Sequence, residues 1–212
     1  MNIQYFVLKN LPEQPVTEEL IEKIENSLTQ LHAKSGLFFD YLCSEQLDDS
    51  VKQFFWIEIK SEEAIIKLVD DASIPVVYLI AKAKYKQDIE LIASCLNQYI
   101  SIYSLEQLKH KAIKEMDINP ASLLLLALGV SVEFDPVSSQ IFSDALKSRN
   151  SATRYAAAEA VGLLQWSELI TELRHVAASD TNADVREIAS ISLEACESFP
   201  KVAIDIDTKG RN

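Results

Sequence analysis

A 32-residue repeat near the C-terminus constrains the fold of this chain more than any other feature of its sequence. Residues 150–154 (NSATR) are echoed by residues 182–186 (NADVR), so that Arg154 and Arg186 stand 32 positions apart. Repetition at this period is typical of helix pairs that stack on one another and bury a common core. Because such stacks usually present a surface to a partner, we expect a protein that binds and does not catalyse.

Three copies of the helix pair fit the pattern between residues 104 and 198. Helices are predicted at residues 104–115 with 120–130, 136–147 with 152–164, and 166–178 with 183–196. Ala157 and Ala189 match at the 32-residue offset, and we expect positions of this kind to form the core. The first copy departs from the pattern, since Ala121 stands where the later copies have arginine. We expect that copy to dock onto the N-terminal part of the chain.

The first 85 residues alternate between strand and helix patterns. Helices are predicted from the Thr17 cap to Gly36 and again after Ser61, and strands at residues 3–9, 37–43, 53–59 and 74–81. The resulting order, βαββαβ, is typical of a ferredoxin-like sheet with two helices on one face. The fold class predicted for the whole chain is therefore α+β.

Four consecutive parts follow from these patterns. We expect a ferredoxin-like domain at residues 1–85, a helical connector at 86–103, an α-solenoid of about three helix pairs at 104–198 and a tail at 199–212. Periodicity leaves residues 99–103 open between a fifth strand and a continued helix. The tail either caps the last repeat as far as Ile206 or frays.

Composition narrows the class of partner. The chain has 32 acidic and 20 basic residues, a formal net charge of −12, which would repel a nucleic-acid backbone. Phe54, Phe55 and Trp56 lie on one predicted strand but lack the basic flanks of an RNA-binding sheet. The acidity indicates either attraction of a basic protein or, more simply, solubility without self-association.

Chemical motifs are scarce. Cys43, Cys95 and Cys196 form no CxxC pair, so we expect reduced, buried thiols and no zinc site. The histidines and paired acids lack metal-ligand or acid/base spacing, and the four glycines form no phosphate loop. The longest apolar stretch, 123–130, is too short to cross a bilayer, and the N-terminus lacks a signal peptide pattern. We expect a cytoplasmic protein without a cofactor or membrane partner.

The repeat residues also carry a family resemblance. Residues 150–162 (NSATRYAAAEAVG), together with Asp180, Asp184 and Arg186 of the next copy, resemble short HEAT-like repeats of the phycobilisome-lyase type. The resemblance covers residues 104–198 and implies an α-solenoid scaffold for protein contacts. It also implies that Arg154 and Arg186 tie adjacent repeats to acidic or carbonyl groups. We therefore expect the two arginines, together with Asp180 and Asp184, to have a structural role.

Three further residues are candidates for partner binding. Tyr155 follows the motif arginine, Trp166 begins a helix with its ring expected near the surface, and Glu159 lies one turn beyond Tyr155. The leading hypothesis is a non-enzymatic scaffold or adaptor that binds or inhibits a basic protein, as an immunity protein does. The resemblance also supports an alternative, a bilin lyase or tetrapyrrole-binding chaperone, in which these residues would line the pigment groove. A third hypothesis is a structural adaptor in which the sheet either dimerises or binds one partner while the helices bind another.

Overall fold

A five-stranded antiparallel sheet followed by helices makes the chain α+β. The computed structural model describes residues 1–9, 16–72, 76–130 and 133–198. The predicted C-terminal tail lies outside these ranges. The elements in chain order are β1 (Asn2–Val7), α1 (Glu18–Ser35), β2 (Phe39–Gln46), β3 (Val51–Glu58), β4 (Ala64–Asp71), β5 (Val76–Ala83), α2 (Lys86–Tyr99), α3 (Leu105–Glu115), α4 (Ala121–Gly129), α5 (Pro136–Leu146), α6 (Ser151–Leu164), a short 3₁₀ turn (Ser167–Leu169), α7 (Ile170–Ser179) and α8 (Ala183–Ser198).

The predicted second helix is wrong, because residues 64–71 form the strand β4. This strand lies between β3 and β5, and the sheet order is β1-β5-β4-β3-β2. Ala64, Ile66 and Leu68 are fully buried while Ile65 and Lys67 are half-buried, which is the two-residue alternation of a strand. The element order is therefore βαββββα and not the βαββαβ of a ferredoxin-like domain. A short apolar run fits either period, and hydrogen bonding to two neighbouring strands decides between them.

Helices α1 and α2 cover one face of the sheet. The predicted bounds of α1 are confirmed: the Thr17 hydroxyl accepts a hydrogen bond from the Leu20 N–H at 3.3 Å, and Gly36 ends the helix at φ 76°. Gly36 suits this end because its left-handed conformation costs a residue without Cβ little. The core between sheet and helices includes Ile24, Leu31, Trp56, Leu68, Leu79 and Ile92. Residues 86–99, predicted as part of a connector, thus belong to the layer that covers the sheet.

The remaining helices pack as three antiparallel hairpins in chain order. Contacts join α3 to α4, α5 to α6 and α7 to α8, while α4, α6 and α8 form one row and α3, α5 and α7 a second. Close approach within the first row depends on Gly162, where a Cβ would meet the Ser192 Oγ at 2.5 Å and its Cα at 3.0 Å. Two helices that approach this closely need a glycine at the contact.

The opposite face of the sheet meets the first hairpin along β1. Val7 and Val76 are buried in the same core as Leu123 and Leu126 of α4. After α2 ends at Tyr99, the chain runs beside β1: Ile102 forms an isolated bridge with Leu8, and the Tyr103 N–H donates to the Val7 carbonyl at 2.9 Å. Residues 100–103 are thus neither a helix nor a full strand.

Candidate partner-binding surface

Arg154 joins the second hairpin to the third. Its Nε and Nη2 donate to both carboxylate oxygens of Asp180, at 2.6 and 2.8 Å. Its Nη1 donates to the carbonyls of Ser148 and Arg149, at 2.9 and 3.2 Å. Both side chains are largely buried, with 13% of Arg154 and 5% of Asp180 exposed. A planar guanidinium can satisfy all four acceptors at once, which a lysine cannot do.

Arg186 repeats part of this arrangement. Its Nη1 donates to the Asp180 carbonyl at 2.6 Å, and this contact is equivalent at a 32-residue offset to that of Arg154 with the Ser148 carbonyl. The turn residues match in the same way. Asn150 accepts from the Ala152 N–H at 3.0 Å, and Asn182 accepts from the Asp184 N–H at 2.8 Å. The sequence repeat therefore corresponds to a repeat in three-dimensional contacts.

Asp184 contributes less than the other residues of the repeat. It lies in the first turn of α8, where the partial positive charge of a helix N-terminus favours an acid. Its side chain is exposed and makes no hydrogen bond or ion pair within the described parts of the chain. The Asp180 carboxylate, by contrast, accepts from Arg154 and from the Asn182 N–H.

Trp166 lies in the core, which corrects the prediction that its ring is near the surface. Only 5% of the residue is exposed. Its ring packs edge to face against Phe134 and Phe142, with centroids 5.0 and 6.1 Å apart. The indole points inward from the turn before α7, toward Phe134 in the loop before α5 and toward Phe142 on α5. Trp166 is therefore not available to a partner and does not share a groove with Tyr155 and Glu159.

Tyr155 and Glu159 lie on the outward stripe of α6. Their spacing of four residues places them one turn apart on one side of the helix, and Leu163 continues the stripe. Tyr155 is 39% exposed and Leu163 51% exposed. On α8, the equivalent positions are Glu187 and Ile191, and Ile191 is 57% exposed. We call the surface formed by Tyr155, Glu159, Leu163, Glu187 and Ile191 the α6–α8 face.

An acidic neighbour from the sheet borders this face. Burial raises the pKa of the Glu159 carboxyl, and the Asp71 carboxylate at the end of β4 raises it further. Asp71 also affects Tyr78 on the neighbouring strand β5. The pKa of Tyr78 is raised to about 12 by burial, by Asp71 and by Tyr5. The end of the α6–α8 face nearest the sheet therefore carries the charge of Glu159 close to that of a second carboxylate.

Sequence reasoning missed Asp71, Leu163 and Ile191 as members of this surface. Leu163 and Ile191 could have been found, because apolar residues on the polar stripe of an amphipathic helix are an unusual signal. Asp71 could not, because the sequence predicts a helix after Ser61, and Asp71 would lie just past its last apolar positions. In the strand β4, Asp70 and Asp71 point to opposite faces, and Asp70 accepts from the Val16 N–H at 3.2 Å.

The other residues weighed from the sequence do not form a site. His32, His110 and His175 are exposed and far apart in the chain, and no group of His, Cys, Asp and Glu in the described residues could hold a metal ion. Cys95 and Cys196 are buried and free as expected, but Cys43 is exposed on the edge strand β2. Within the described ranges, none of the helices combines the length and apolar character needed to cross a membrane.

Comparison of the chain with protein-family models, with curated proteins and with solved structures finds no match.

Proposed function

We propose that this chain is a non-enzymatic interaction protein that uses its α6–α8 face to bind a basic protein. The observation that carries the proposal is the mixture of apolar and acidic side chains on the outward stripes of two equivalent helices. Tyr155, Leu163 and Ile191 are exposed apolar anchors, Glu187 is exposed beside them, and Glu159 is half-buried between Tyr155 and Leu163 on α6. Protein interfaces combine such apolar centres with charged groups that orient the partner.

Charge supports the choice of a basic partner. The chain carries a formal net charge of −12, which attracts a cationic protein over long distances and speeds its association. An inhibitor of the immunity-protein type would use this attraction to cover the basic active surface of an enzyme. Association of this kind weakens as salt is added.

The helical scaffold supports the same proposal. We propose that residues 104–198 form a short HEAT-like solenoid, in which Arg154 and Arg186 hold successive turns at a constant spacing. The equivalent contacts of the two arginines support this reading. A scaffold that repeats in this way presents the second helices of neighbouring pairs side by side, as a continuous binding surface.

The positions of the candidate residues do not favour the tetrapyrrole alternative. That hypothesis needs Tyr155, Trp166 and Glu159 around one groove, whereas Trp166 is buried against Phe134 and Phe142. We therefore do not propose a pigment role.

Capture of partners by matched charge variants tests the proposal. Immobilised wild-type chain would be compared with Glu159→Lys/Glu187→Lys, and with the control Glu22→Lys/Glu90→Lys, whose acids lie on α1 and α2 at the other side of the sheet. Bound proteins from a lysate of the source organism would be eluted with rising salt and identified by mass spectrometry. We expect a basic protein that elutes at moderate salt, is lost from the Glu159/Glu187 variant and is retained by the control. Equal loss from both variants, or retention by both, would refute the assignment to this face.

A further inference from the structure

The sheet has two edge strands, β1 and β2, and they differ in how they are protected against a further strand. On β2, a bulge between Tyr41 and Cys43 interrupts the regular pairing, and the Asp40 carboxylate accepts the Tyr41 N–H at 3.0 Å. Bulges and charged side chains are devices by which proteins keep other chains away from an edge strand. The strand β1 has neither a bulge nor a charged side chain. It is therefore the edge to which a strand can be added.

Alternate residues of β1 face away from the rest of the sheet. In an antiparallel ladder, neighbouring residues point their N–H and C=O groups to opposite sides of the strand. The Leu8 N–H donates to a carbonyl of β5 at 3.4 Å, whereas the Val7 carbonyl accepts the Tyr103 N–H at 2.9 Å on the other side. Ile3 and Tyr5 share the orientation of Val7. Their backbone groups form no hydrogen bond within the described parts of the chain.

Residues 101–103 already pair with one end of this edge. The Lys9 N–H donates to the Ser101 carbonyl at 2.8 Å, so this short segment lies beside the end of β1 as extended backbone. The pairing ends at Ser104, which forms a capping box with Gln107 and begins the helix α3. The same edge thus binds extended backbone along one part of its length and leaves its first half unpaired.

A pocket of about 350 Å³ lies where this pairing ends, and its volume is within the range of about 300–1,000 Å³ that is typical of ligand sites. Residues 4–7 of β1 and residues 102–105 line it. Asn97 also lines it from α2, which covers one face of the sheet, and Gly129 from α4, which packs on the opposite face. The edge is therefore recessed between two helical layers. None of the described residues that line the pocket is charged, although the chain carries a formal net charge of −12.

We propose that this pocket binds an extended, uncharged peptide segment, which adds to β1 as a sixth strand and continues the pairing of residues 101–103. Strand addition is a common mode of peptide recognition, in which main-chain hydrogen bonds supply the affinity. The outward N–H and C=O groups of Ile3 and Tyr5 would form these bonds. The uncharged lining favours an uncharged segment, because a charge buried without a partner is costly.

The recessed position of the edge argues for a single strand and against a second folded copy of the chain. In a second copy, the helical layers that flank its own β1 would meet the layers that flank this one. A segment that is unfolded before it binds has no such layers. The inference rests on the edge and the pocket alone and holds whether or not the α6–α8 face binds a partner.

Amide hydrogen exchange of the whole chain, followed by nuclear magnetic resonance, tests the proposal. The probe is acetyl-Thr-Val-Thr-Val-Thr-amide, which is uncharged and rich in residues that favour strands. We expect the Ile3 and Tyr5 amides to shift with saturation and to gain protection, while the Gln4 and Phe6 amides, which face β5, keep the protection they have. The absence of a saturable change at about 10 mM probe, a tenfold excess over a millimolar Kd, would overturn the proposal. Changes without this alternation would also overturn it.

Matched peptides test the chemistry of recognition. The same peptide with every backbone nitrogen methylated keeps its side chains but has no N–H donor, and equal binding of this peptide would refute strand addition. Peptides with lysine or glutamate in place of threonine would be compared in about 0.5 M salt, which screens the net charge of the chain. Tighter binding of either charged peptide at the Ile3 and Tyr5 amides would refute an uncharged occupant.

Two variants at one position test the edge itself. Ile3→Pro removes an outward N–H, and proline is tolerated on an edge strand where its missing N–H would face away from the sheet. Ile3→Ala is the matched control, because it shortens the same side chain but keeps the N–H. We expect Ile3→Pro to weaken binding about tenfold, since it loses a hydrogen bond and obstructs pairing, and Ile3→Ala to bind nearly as wild type does. Equal binding by the two variants, each shown to be folded by thermal unfolding, would refute the site.

Protection of the Tyr5 amide before any peptide is added would overturn the proposal. Protection that is lost on dilution would identify a second copy of the chain as the occupant. Protection that is lost when residues 199–212 are removed would identify the C-terminal residues of the chain itself.

Discussion

Arg154 and Asp180 form a bidentate ion pair across the junction between the second and third helical hairpins, with N···O distances of 2.6 and 2.8 Å. The same guanidinium also binds two carbonyls of its own turn. One side chain therefore holds two successive turns together, and the neighbouring Arg186 binds the backbone of Asp180 from the other side.

Loss of this pair should cost more stability than loss of an exposed pair on the same helices. Removal of one partner from a buried ion pair costs about 3–5 kcal/mol, so we expect Arg154→Ala to lower the free energy of unfolding by roughly 3 kcal/mol. Arg174 and Glu197 form a 2.8 Å pair that is more than half exposed, and Arg174→Ala should cost less than about 1 kcal/mol. Urea denaturation of both variants measures the difference. Similar costs for the two variants would contradict the structural role of Arg154.

The contribution of Asp180 should disappear in acid. Hydrogen bonds from Arg154 lower the pKa of the Asp180 carboxyl from its ordinary value of 3.8, against the opposing effect of burial. A carboxyl whose pKa is lowered on folding stabilises the folded state above its ordinary pKa, and this stability is lost as the pH falls through the folded-state pKa. The difference in unfolding free energy between wild type and Arg154→Ala should therefore be largest near neutral pH and shrink below pH 3.8. Urea denaturation at a series of pH values tests this, and a constant difference would contradict it.

Gly162 should not tolerate a side chain. An added Cβ would lie 2.5 Å from the Ser192 Oγ, 2.7 Å from its Cβ and 3.0 Å from its Cα, so α8 would have to move. Overpacking of this kind costs about 1–3 kcal/mol, which we expect for Gly162→Ala. Gly129→Ala is the matched control, because its added Cβ contacts only the side chain of Leu108, which can adjust. In thermal unfolding, the Tm of Gly162→Ala should be lower than the Tm of Gly129→Ala. The reverse order would contradict the close approach of α6 and α8.

Replacement of Trp166 should lower the stability of the fold, whereas replacement of Tyr155 should weaken only the binding of the partner. Truncation of a buried Trp typically costs about 3–5 kcal/mol, so Trp166→Ala should be strongly destabilised. Tyr155→Ala removes an exposed ring and should change stability by less than about 0.5 kcal/mol while it weakens partner capture. Denaturation and the capture assay measure the two effects. A Tyr155→Ala variant that captures the partner at wild-type level would remove Tyr155 from the proposed interface.

The ionised carboxylate of Glu159 should contribute to partner binding but lower the free energy of unfolding at neutral pH. Its pKa is raised from the ordinary value of 4.5, first by burial and then by Asp71. A carboxyl of this kind carries no penalty below its ordinary pKa and destabilises the folded state as the pH rises through the folded-state pKa. Glu159→Gln should therefore increase the unfolding free energy at pH 7 but not near pH 4, and it should weaken capture. Glu22→Gln, which replaces an exposed acid of α1, should do neither. A Glu159→Gln variant that is less stable than wild type at pH 7 would show that the ionised carboxylate is satisfied in the fold.

Local sequence determined the parts of the structure in which the interacting groups are close along the chain. Thr17 and Gly36 bound α1, and Asn150 and Asn182 begin the helices of the repeat, because caps depend on hydrogen bonds within a few residues. The 32-residue repeat is likewise found again in the equivalent contacts of Arg154 and Arg186, since similar local sequences form similar turns.

Tertiary structure alone decided the features that depend on distant residues. Residues 64–71 are compatible with helix or strand, and they form a strand because β3 and β5 supply hydrogen bonds on both sides. Trp166 is buried because Phe134 and Phe142, more than twenty residues earlier, enclose it. Glu159 lies close enough to Asp71 for this carboxylate to raise its pKa, although the two residues are 88 positions apart in the sequence. None of these contacts leaves a periodic signal in the sequence, since each depends on how complete elements pack together.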